Sequence, residues 1–329
     1  MLKRRGNFRT LFSVLVIALI TLSLNAQTIN EVIESFNAGA AEVTAGNFEA
    51  AITNFESTIE QATTLGAEGD EMKAKAEGQI PPLHYRMAMD TYKAKDIPGA
   101  IAKFEETVAA CDKYGNDDVK GKSLKYIPQL YNSNGNTQLK AGDFDGAIAS
   151  FDKAVEYKPD YARAIYGKGL VYRKQKDQEN MVATLEQAIE VGNAANPVDD
   201  KTVAAATKIL KDGYVNAGKL AFKDENYADA LSNFESSFKY DPENAEAYYL
   251  ICVIHGRQGD FDKAVESAAK ALEYEEDDAA KKAKIYYELG NAHVGLVEYD
   301  KACAAFKNCL IEPYTASVKH QMDNVLKCQ

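Results

Sequence analysis

Seven times along the chain a small residue is followed twelve positions later by a second small or apolar residue, and four positions after that, in most copies, by an aromatic. The sets are Gly39, Ala51, Phe55; Ala88, Ala100, Phe104; Gly135, Ala147, Phe151; Gly169, Met181, Leu185; Gly218, Ala230, Phe234; Cys252, Ala264, Ala268; and Gly290, Ala302, Phe306. Apolar residues keep a helical period in every set and no run alternates with period two, so the pattern predicts an all-α chain without strands. Within each set the spacing predicts two short antiparallel helices that cross where the small residues let their backbones approach, with the aromatic filling the gap. An array of such pairs buries one continuous core and offers function a surface rather than a catalytic pocket.

The second members of the sets, at 51, 100, 147, 181, 230, 264 and 302, lie 49, 47, 34, 49, 34 and 38 residues apart. The three long intervals hold similar inserts: Gly69-Asp70 to Ile80-Pro81-Pro82, Asn116-Asp117 to Ile127-Pro128, and Asp199-Asp200 to Leu210-Lys211. Each opens on an aspartate suited to a helix N-terminus and continues in helix-forming residues, which predicts an extension of the next unit's first helix. An insert of about four turns leaves the buried face in register. Pro81 and Pro128 mark a kink or a fresh start in the first two, while the third is free to run unbroken. A longer period lies above this one: Gly135, Phe151, Tyr157, Pro159 and Tyr166 recur 83 residues later as Gly218, Phe234, Tyr240, Pro242 and Tyr249, as a duplicated two-unit block would.

These residues resemble the tetratricopeptide-repeat family, whose unit reads W-x2-L-G-x2-Y, then A-x3-F, then P, with a period of about 34 residues. The last unit offers Tyr286, Leu289, Gly290, His293, Ala302 and Phe306; the third offers Tyr131, Gly135, Ala147, Phe151 and Pro159. The turn between paired helices is visible as Gly46-Asn47-Phe48, Gly142-Asp143-Phe144, Asn226-Tyr227 and Gly259-Asp260-Phe261, and no tryptophan occurs anywhere. The resemblance implies a right-handed α-solenoid of about seven units, at approximately 32–64, 70–112, 117–159, 162–192, 200–242, 245–275 and 281–311. Three of these are extended units, and a C-terminal capping helix follows over 315–327.

The resemblance also implies a concave wall built from the first helix of every unit. Three residues before each small residue stand Phe36, Tyr85, Asn132, Tyr166, Val215, Tyr249 and Tyr287; one residue after it stand Ala40, Met89, Asn136, Leu170, Lys219, Val253 and Asn291. From these rows the candidate groove residues are Tyr85, Asn132, Asn136, Tyr166, Leu170, Lys219, Tyr249, Tyr287 and Asn291. Tyrosine suits peptide recognition, giving broad contact at low entropic cost with one hydrogen-bonding end, and it equally suits support of a neighbouring helix. A further row, Lys93, Lys140, Lys174, Lys223 and Arg257, meets a peptide carboxylate if it faces the groove. Paired lysines and asparagines that clamp a C-terminal carboxylate in some relatives are not reproduced, since Tyr166 and Leu170 follow Asn132 and Asn136, so a chaperone tail is not indicated.

The first 26 residues differ in kind. Lys3, Arg4, Arg5 and Arg9 precede an apolar run from Leu11 to Leu24, and Ala26 stands before Gln27, which reads as a cleaved signal peptide; the run is too short to span a bilayer. Removing its four basic residues from the 38 in the chain leaves 34 against 49 acidic ones, a net charge of −15. That balance argues against nucleic acid and anionic membranes as partners, and no other segment is apolar enough to enter a membrane after the signal is removed. Cys111, Cys252, Cys303, Cys309 and Cys328 form no CxxC pair; Cys252 and Cys309 read as packing residues, and Cys303 and Cys328 meet if the tail folds back.

No phosphate loop, GxSxG or HExxH occurs, which points away from an enzyme and from any cofactor or metal. His255 and His293 occupy tyrosine positions in consecutive units, either as half-buried fillers or as a pair meeting across neighbouring first helices. The leading reading is a non-enzymatic scaffold, exported to the periplasm or beyond, holding a polypeptide or envelope-complex subunit in its groove. The alternatives are a structural subunit using the convex face and inserts, or a solute- or glycan-binding accessory protein. In the tail, Val318, Met322, Val325 and Leu326 form the apolar stripe of the expected cap, with Lys319, Gln321, Asp323 and Lys327 outward.

The mature protein is expected to begin at Gln27 and to dissolve without detergent after cell lysis. Intact mass of the native protein checks this, and a retained Met1 with detergent-dependent extraction counts against it.

Overall fold

The computed structural model describes residues 28–276 and 278–328; the expected signal peptide and its cleavage site lie outside the described residues. Among the described residues there are fifteen α-helices and no strand. They fall into two compact units, the first ending at Val171 and the second beginning at Tyr172. The first holds α1 (Ile29–Ala45), α2 (Phe48–Thr64), α3 (Asp70–Lys93), α4 (Ile97–Tyr114), α5 (Asp117–Ala141), α6 (Phe144–Tyr157) and most of α7 (Ala162–Gln175). In the second follow α8 (Gln178–Ala194), α9 (Asp200–Lys223), α10 (Tyr227–Ser237), α11 (Ala245–Gln258), α12 (Phe261–Tyr274), α13 (Ala279–Gly295), α14 (Tyr299–Lys307) and α15 (Thr315–His320).

One turn is used seven times. Each first helix ends on a single left-handed residue, Gly46, Lys95, Gly142, Lys176, Glu225, Gly259 or Val297. The next residue is the N-cap of the second helix, and its amide reaches back to the first helix, as in Asp143 N to Gln138 O and Asp260 N to His255 O, both 2.9 Å. Such a bond satisfies a terminal carbonyl and fixes the reversal. Four of the seven caps, Asp96, Asp143, Asp177 and Asn226, then receive an amide of the helix they start, Asp96 from Gly99 at 3.0 Å and Asp177 from Asn180 at 3.1 Å.

The core follows the twelve-and-four spacing. Ala51, Ala100, Ala147, Ala230, Ala264 and Ala302 have no exposed surface, and Phe55, Phe104, Phe151, Phe234 and Phe306 head the largest fully buried side chains. The phenylalanines lie against bare backbone: a Cβ on Gly39, Gly135, Gly218 or Gly290 would meet the ring of its own unit at 2.9, 2.8, 2.6 or 2.4 Å. Phe151 is flanked on a second side by Gly167, where a Cβ would meet the ring at 2.5 Å.

The inserts lengthen both partners of a hairpin, not the first helix alone. α3, α5 and α9 have 24, 25 and 24 residues, and the second helices before them, α2, α4 and α8, have 17, 18 and 17, against 14, 11, 14 and 9 for α6, α10, α12 and α14. The added turns carry their own small residues, Ala62, Cys111 and Gly192 on one side and Ala76, Ser123 and Ala206 on the other, all buried. Pro81, Pro82 and Pro128 lie inside unbroken helices, so neither proline starts a new one. Each costs an amide hydrogen bond, and the packing of Pro81 and Pro128, both buried beside the fully buried Ile80 and Ile127, offsets it.

A carboxylate on each lengthened second helix receives a tyrosine hydroxyl from the end of the next second helix or just beyond it. Glu56 accepts from the Tyr114 hydroxyl at 3.1 Å, Glu105 from Tyr131 at 2.8 Å and Tyr157 at 3.0 Å, and Glu186 from Tyr240 and Lys239. Tyr131 stacks on Tyr157, and Tyr214 on Tyr240, each at 6.0 Å between centroids. Burial and then the Glu105 carboxylate push the Tyr157 hydroxyl up to about 12.

After α14 the chain turns back. α15 continues into a wider-pitched turn over Gln321–Leu326, and Val318, fully buried, joins Met322 and Leu326 against Ala302, Phe306 and Cys309. Val325, assigned to the inward stripe from the sequence, is 54% exposed, because the wider pitch carries it off that face and brings Leu326 in. Cys328 forms a disulfide with Cys303 of α14.

Gly135→Ala forces a methyl into the Phe151 ring and is expected to cost about 1–3 kcal/mol. Gly213→Ala, in α9 where a Cβ meets nothing within 4 Å, is expected to gain about 0.5–1 kcal/mol. Urea unfolding of the two variants against wild type checks both signs.

Candidate interaction surface

The first helices present the predicted rows on partly exposed faces. In the first unit Tyr85 is half-buried, with its edge on Phe104 at 5.8 Å, and Tyr166 and Leu170 are half-buried on α7. Asn136 Nδ2 donates to the Asn132 backbone carbonyl at 2.8 Å, while Asn132 Oδ1 is buried without a partner. In the second unit Lys219 pairs with Glu246 at 2.7 Å, and Lys284 lies 4.3 Å above the Tyr249 ring. Tyr287 leans on Phe306 at 6.3 Å and is faced by Tyr314 of the tail at 5.0 Å. Val215 and Val253 of the same rows are 8% exposed and belong to the core, since these two aliphatic side chains turn into the helix interface.

Two of the tyrosines do the supporting job the sequence allowed. One side of Tyr85 and of Tyr287 rests on a core phenylalanine, which fixes the ring, and part of it stays open to a ligand. Tyr249, raised to about 12 by burial, lines a cavity of 410 Å³ with Glu246, Tyr274, Glu275, Lys284 and Ile285. The cationic row stands in or beside the last turns of the first helices, where it complements the helix carbonyls. Lys93 is held by Asp90 at 3.1 Å, and Arg257 lies over Phe222 at 5.0 Å and donates to Tyr227 Oη at 3.1 Å.

One inner residue had no sequence signal beyond an acid set in an aromatic stretch. Glu288, between Tyr287 and Leu289, is largely buried, and burial raises its carboxyl above the usual range despite a hydrogen bond from Asn291 and the charge of Arg257. The histidines turn to the acids of their own turns, His293 Nδ1 to Glu298 at 2.7 Å and His255 Nδ1 to Asp260 at 3.9 Å. Asn47 and Glu42, 2.8 Å apart, bridge the same two turn positions in the first pair. The His293 and Asn47 contacts latch their turns, whereas His255 Nδ1 is buried without a hydrogen-bond partner. Among the described residues no group of three or more His, Cys, Asp or Glu side chains is arranged to hold a metal ion. Burial raises the free thiols of Cys252 and Cys309 to about 12 and about 11, the range of packing cysteines.

Comparison with known proteins bears on the helical units. Family models described as tetratricopeptide repeat match residues 221–285, and 162–191 with 283–310; one described as TPR repeat matches 135–176. The Hsp70-Hsp90 organising protein of Plasmodium falciparum is 24% identical over 118 residues, 35% of this chain. The match spans 21% of that relative's length. Among solved structures, YrrB, a TPR protein with an unusual peptide-binding site, is 20% identical over 59% of this chain and 91% of its own, with a TM-score of 0.31. The TPR2AB domain of yeast Sti1 in complex with an HSP90 peptide is 16% identical over 91% of this chain and 98% of its own, with a TM-score of 0.33.

Because burial raises the Glu288 carboxyl in the folded chain, its ionisation costs stability as pH rises through the folded value and costs nothing below the unfolded range. Glu288→Gln is therefore expected to melt higher than wild type at pH 7, with the gain gone below about pH 4. Thermal melts across that range test the sign.

Proposed function

The chain is a tetratricopeptide-repeat protein, and from that premise we infer that it is a non-enzymatic interaction scaffold holding an extended polypeptide along its first helices. The observation that carries this reading is the set of half-buried tyrosines, Tyr85, Tyr166, Tyr249 and Tyr287, at one position of α3, α7, α11 and α13, four of the seven first helices. Where a phenylalanine backs the ring, as for Tyr85 and Tyr287, little rotamer freedom is left to lose on binding. The acidic balance of the chain and the carboxylates around the Tyr249 cavity, Glu243, Glu246, Glu275 and Glu276, favour a partner segment with basic residues.

Export to an oxidising compartment, the periplasm or the cell exterior, accords with the basic and apolar leader and with the Cys303–Cys328 disulfide. The partner there is a peptide or an envelope-complex subunit. A second reading, a structural subunit docking through its extended hairpins, draws on the shared lengthening of α2 with α3, α4 with α5 and α8 with α9.

Crosslinking in the native compartment separates the two. Tyr166→Ser with Tyr249→Ser is expected to lower capture of the partner at least tenfold while the melting temperature holds. Capture that survives this pair but is lost on reversing the exposed charge of Lys75, in the extended part of α3, overturns the groove in favour of the hairpins.

A further inference from the structure

We propose that the tail, residues 311–328, is a disulfide-latched occupant of the second unit's inner wall, and that a dithiol reductant releases it to uncover the wall for a partner. The proposal rests on the groove reading above for its consequence, but not for the latch itself.

Tyr314 sets its ring 5.0 Å from Tyr287, an inner-wall residue of α13. Tyr314 also packs, with Tyr286 and Tyr287, against the cluster of Ala283, Ala302 and Phe306, so the tail covers the wall at the last first helix, α13. Beyond Tyr314 the tail holds on by Val318, Met322 and Leu326. Its helical part is weak by itself. α15 has six residues and no side-chain cap, and the turn after it ends at Lys327 in the left-handed conformation. So short a helix does not nucleate alone in water. Leu310, Ile311 and Val325 remain 40%, 37% and 54% exposed and add little grip.

The covalent tie makes up the difference. Cys328 lies 25 residues from Cys303, and closing a loop of that length favours the docked tail by about 100-fold over the untied one. Cys303 is 8% exposed and Cys328 is half-buried, so an attacking thiolate reaches the Cys328 sulfur first. The S–S bond breaks, the Cys303 thiolate leaves and takes a proton, and the second thiol of the reductant resolves the mixed disulfide. Two electrons and two protons pass to the cystine, and the dithiol ends as its own disulfide. Cys309, in the same apolar cluster, stays a thiol through its raised pKa and does not re-form the link.

Hydrogen exchange on the full mature chain tests the latch without any partner. Amides of 315–327 are expected to exchange at least tenfold faster after dithiothreitol, and in Cys303→Ser with Cys328→Ser without it; equal protection in oxidised and reduced chains overturns the latch. A labelled synthetic peptide of residues 311–327 tests occupancy. Full-length chain carrying Tyr314→Ala, Val318→Asp and Cys328→Ser is expected to bind it at least tenfold more tightly than oxidised wild type, and a peptide with Tyr314→Ala should bind less well. If oxidised wild type binds the peptide as tightly as that variant, the tail does not cover its own site. If the latch and the occupancy both hold while the Tyr166 and Tyr249 variants keep their partner, the groove reading fails and the latch stands.

Discussion

A phenylalanine ring resting on glycine backbone sets the distance between paired helices, and the rest of the architecture follows from that distance. At Gly39, Gly135, Gly218 and Gly290 even one methyl would overlap the ring. With the helices so close, only alanine fits at the second-helix position four residues earlier, and Ala51, Ala147, Ala230 and Ala302 are sealed there. Two pairs lack the ring: Leu185 takes its place on α8, and in the pair α11 and α12 the interface closes by small residues, with Cys252, Ala264, Ala268 and Ala271 all buried. The α11 and α12 pair meets its flanks through aromatics, with its own Phe261 against Gly295 of α13 and its Tyr248 stacked on Phe238 at 4.2 Å. Ring-on-backbone packing is dispersion at contact distance, and interiors that dense do not shift by degrees.

The same rings decide what the surface can do. Phe104 and Phe306 back Tyr85 and Tyr287, so the orientation of the inner wall is inherited from the core and not left to loops. The extended hairpins obey a related economy: an added crossing of small residues needs no ring, and a carboxylate on each lengthened second helix receives a tyrosine hydroxyl from the end of the next one or just beyond it. Glu105 receives two such hydroxyls beside stacked rings, so its charge is hydrogen-bonded rather than bare, the condition under which a half-buried carboxylate is tolerated.

The fold was legible because its determinant is a spacing within one hairpin. Gly39, Ala51 and Phe55 meet whatever the rest of the chain does, and so do their counterparts. Features resting on unusual backbone were not legible in the same way. Lys95, Lys176, Glu225 and Val297 adopt the left-handed turn that glycine announces at Gly46, Gly142 and Gly259, and nothing in a lysine or a valine signals it. Val325 was misassigned because its register comes from a wider-pitched turn, which a 3.6-residue stripe does not describe. The ties from Glu56, Glu105 and Glu186 join residues 26 to 58 apart in sequence, beyond the reach of any local pattern. Val215 and Val253 share positions with inner-wall residues and are still core, since an aliphatic side chain at that place turns inward where tyrosine spans both environments.

Glu288 carries the argument from packing towards recognition. A carboxyl held in a mostly apolar wall beside Tyr249, Tyr287 and Tyr314 is not there for stability, because burial works against its charge and Asn291 and Arg257 offset that only in part. The tail adds a ring to this environment without adding a cation. On the groove reading, a lysine or arginine of the partner held there would add to the partial counter-charge that Arg257 supplies. Affinity gained from relieving a buried charge is available only to a ligand of the right sign. On the groove reading the wall discriminates by charge, even though its tyrosines alone are tolerant ones.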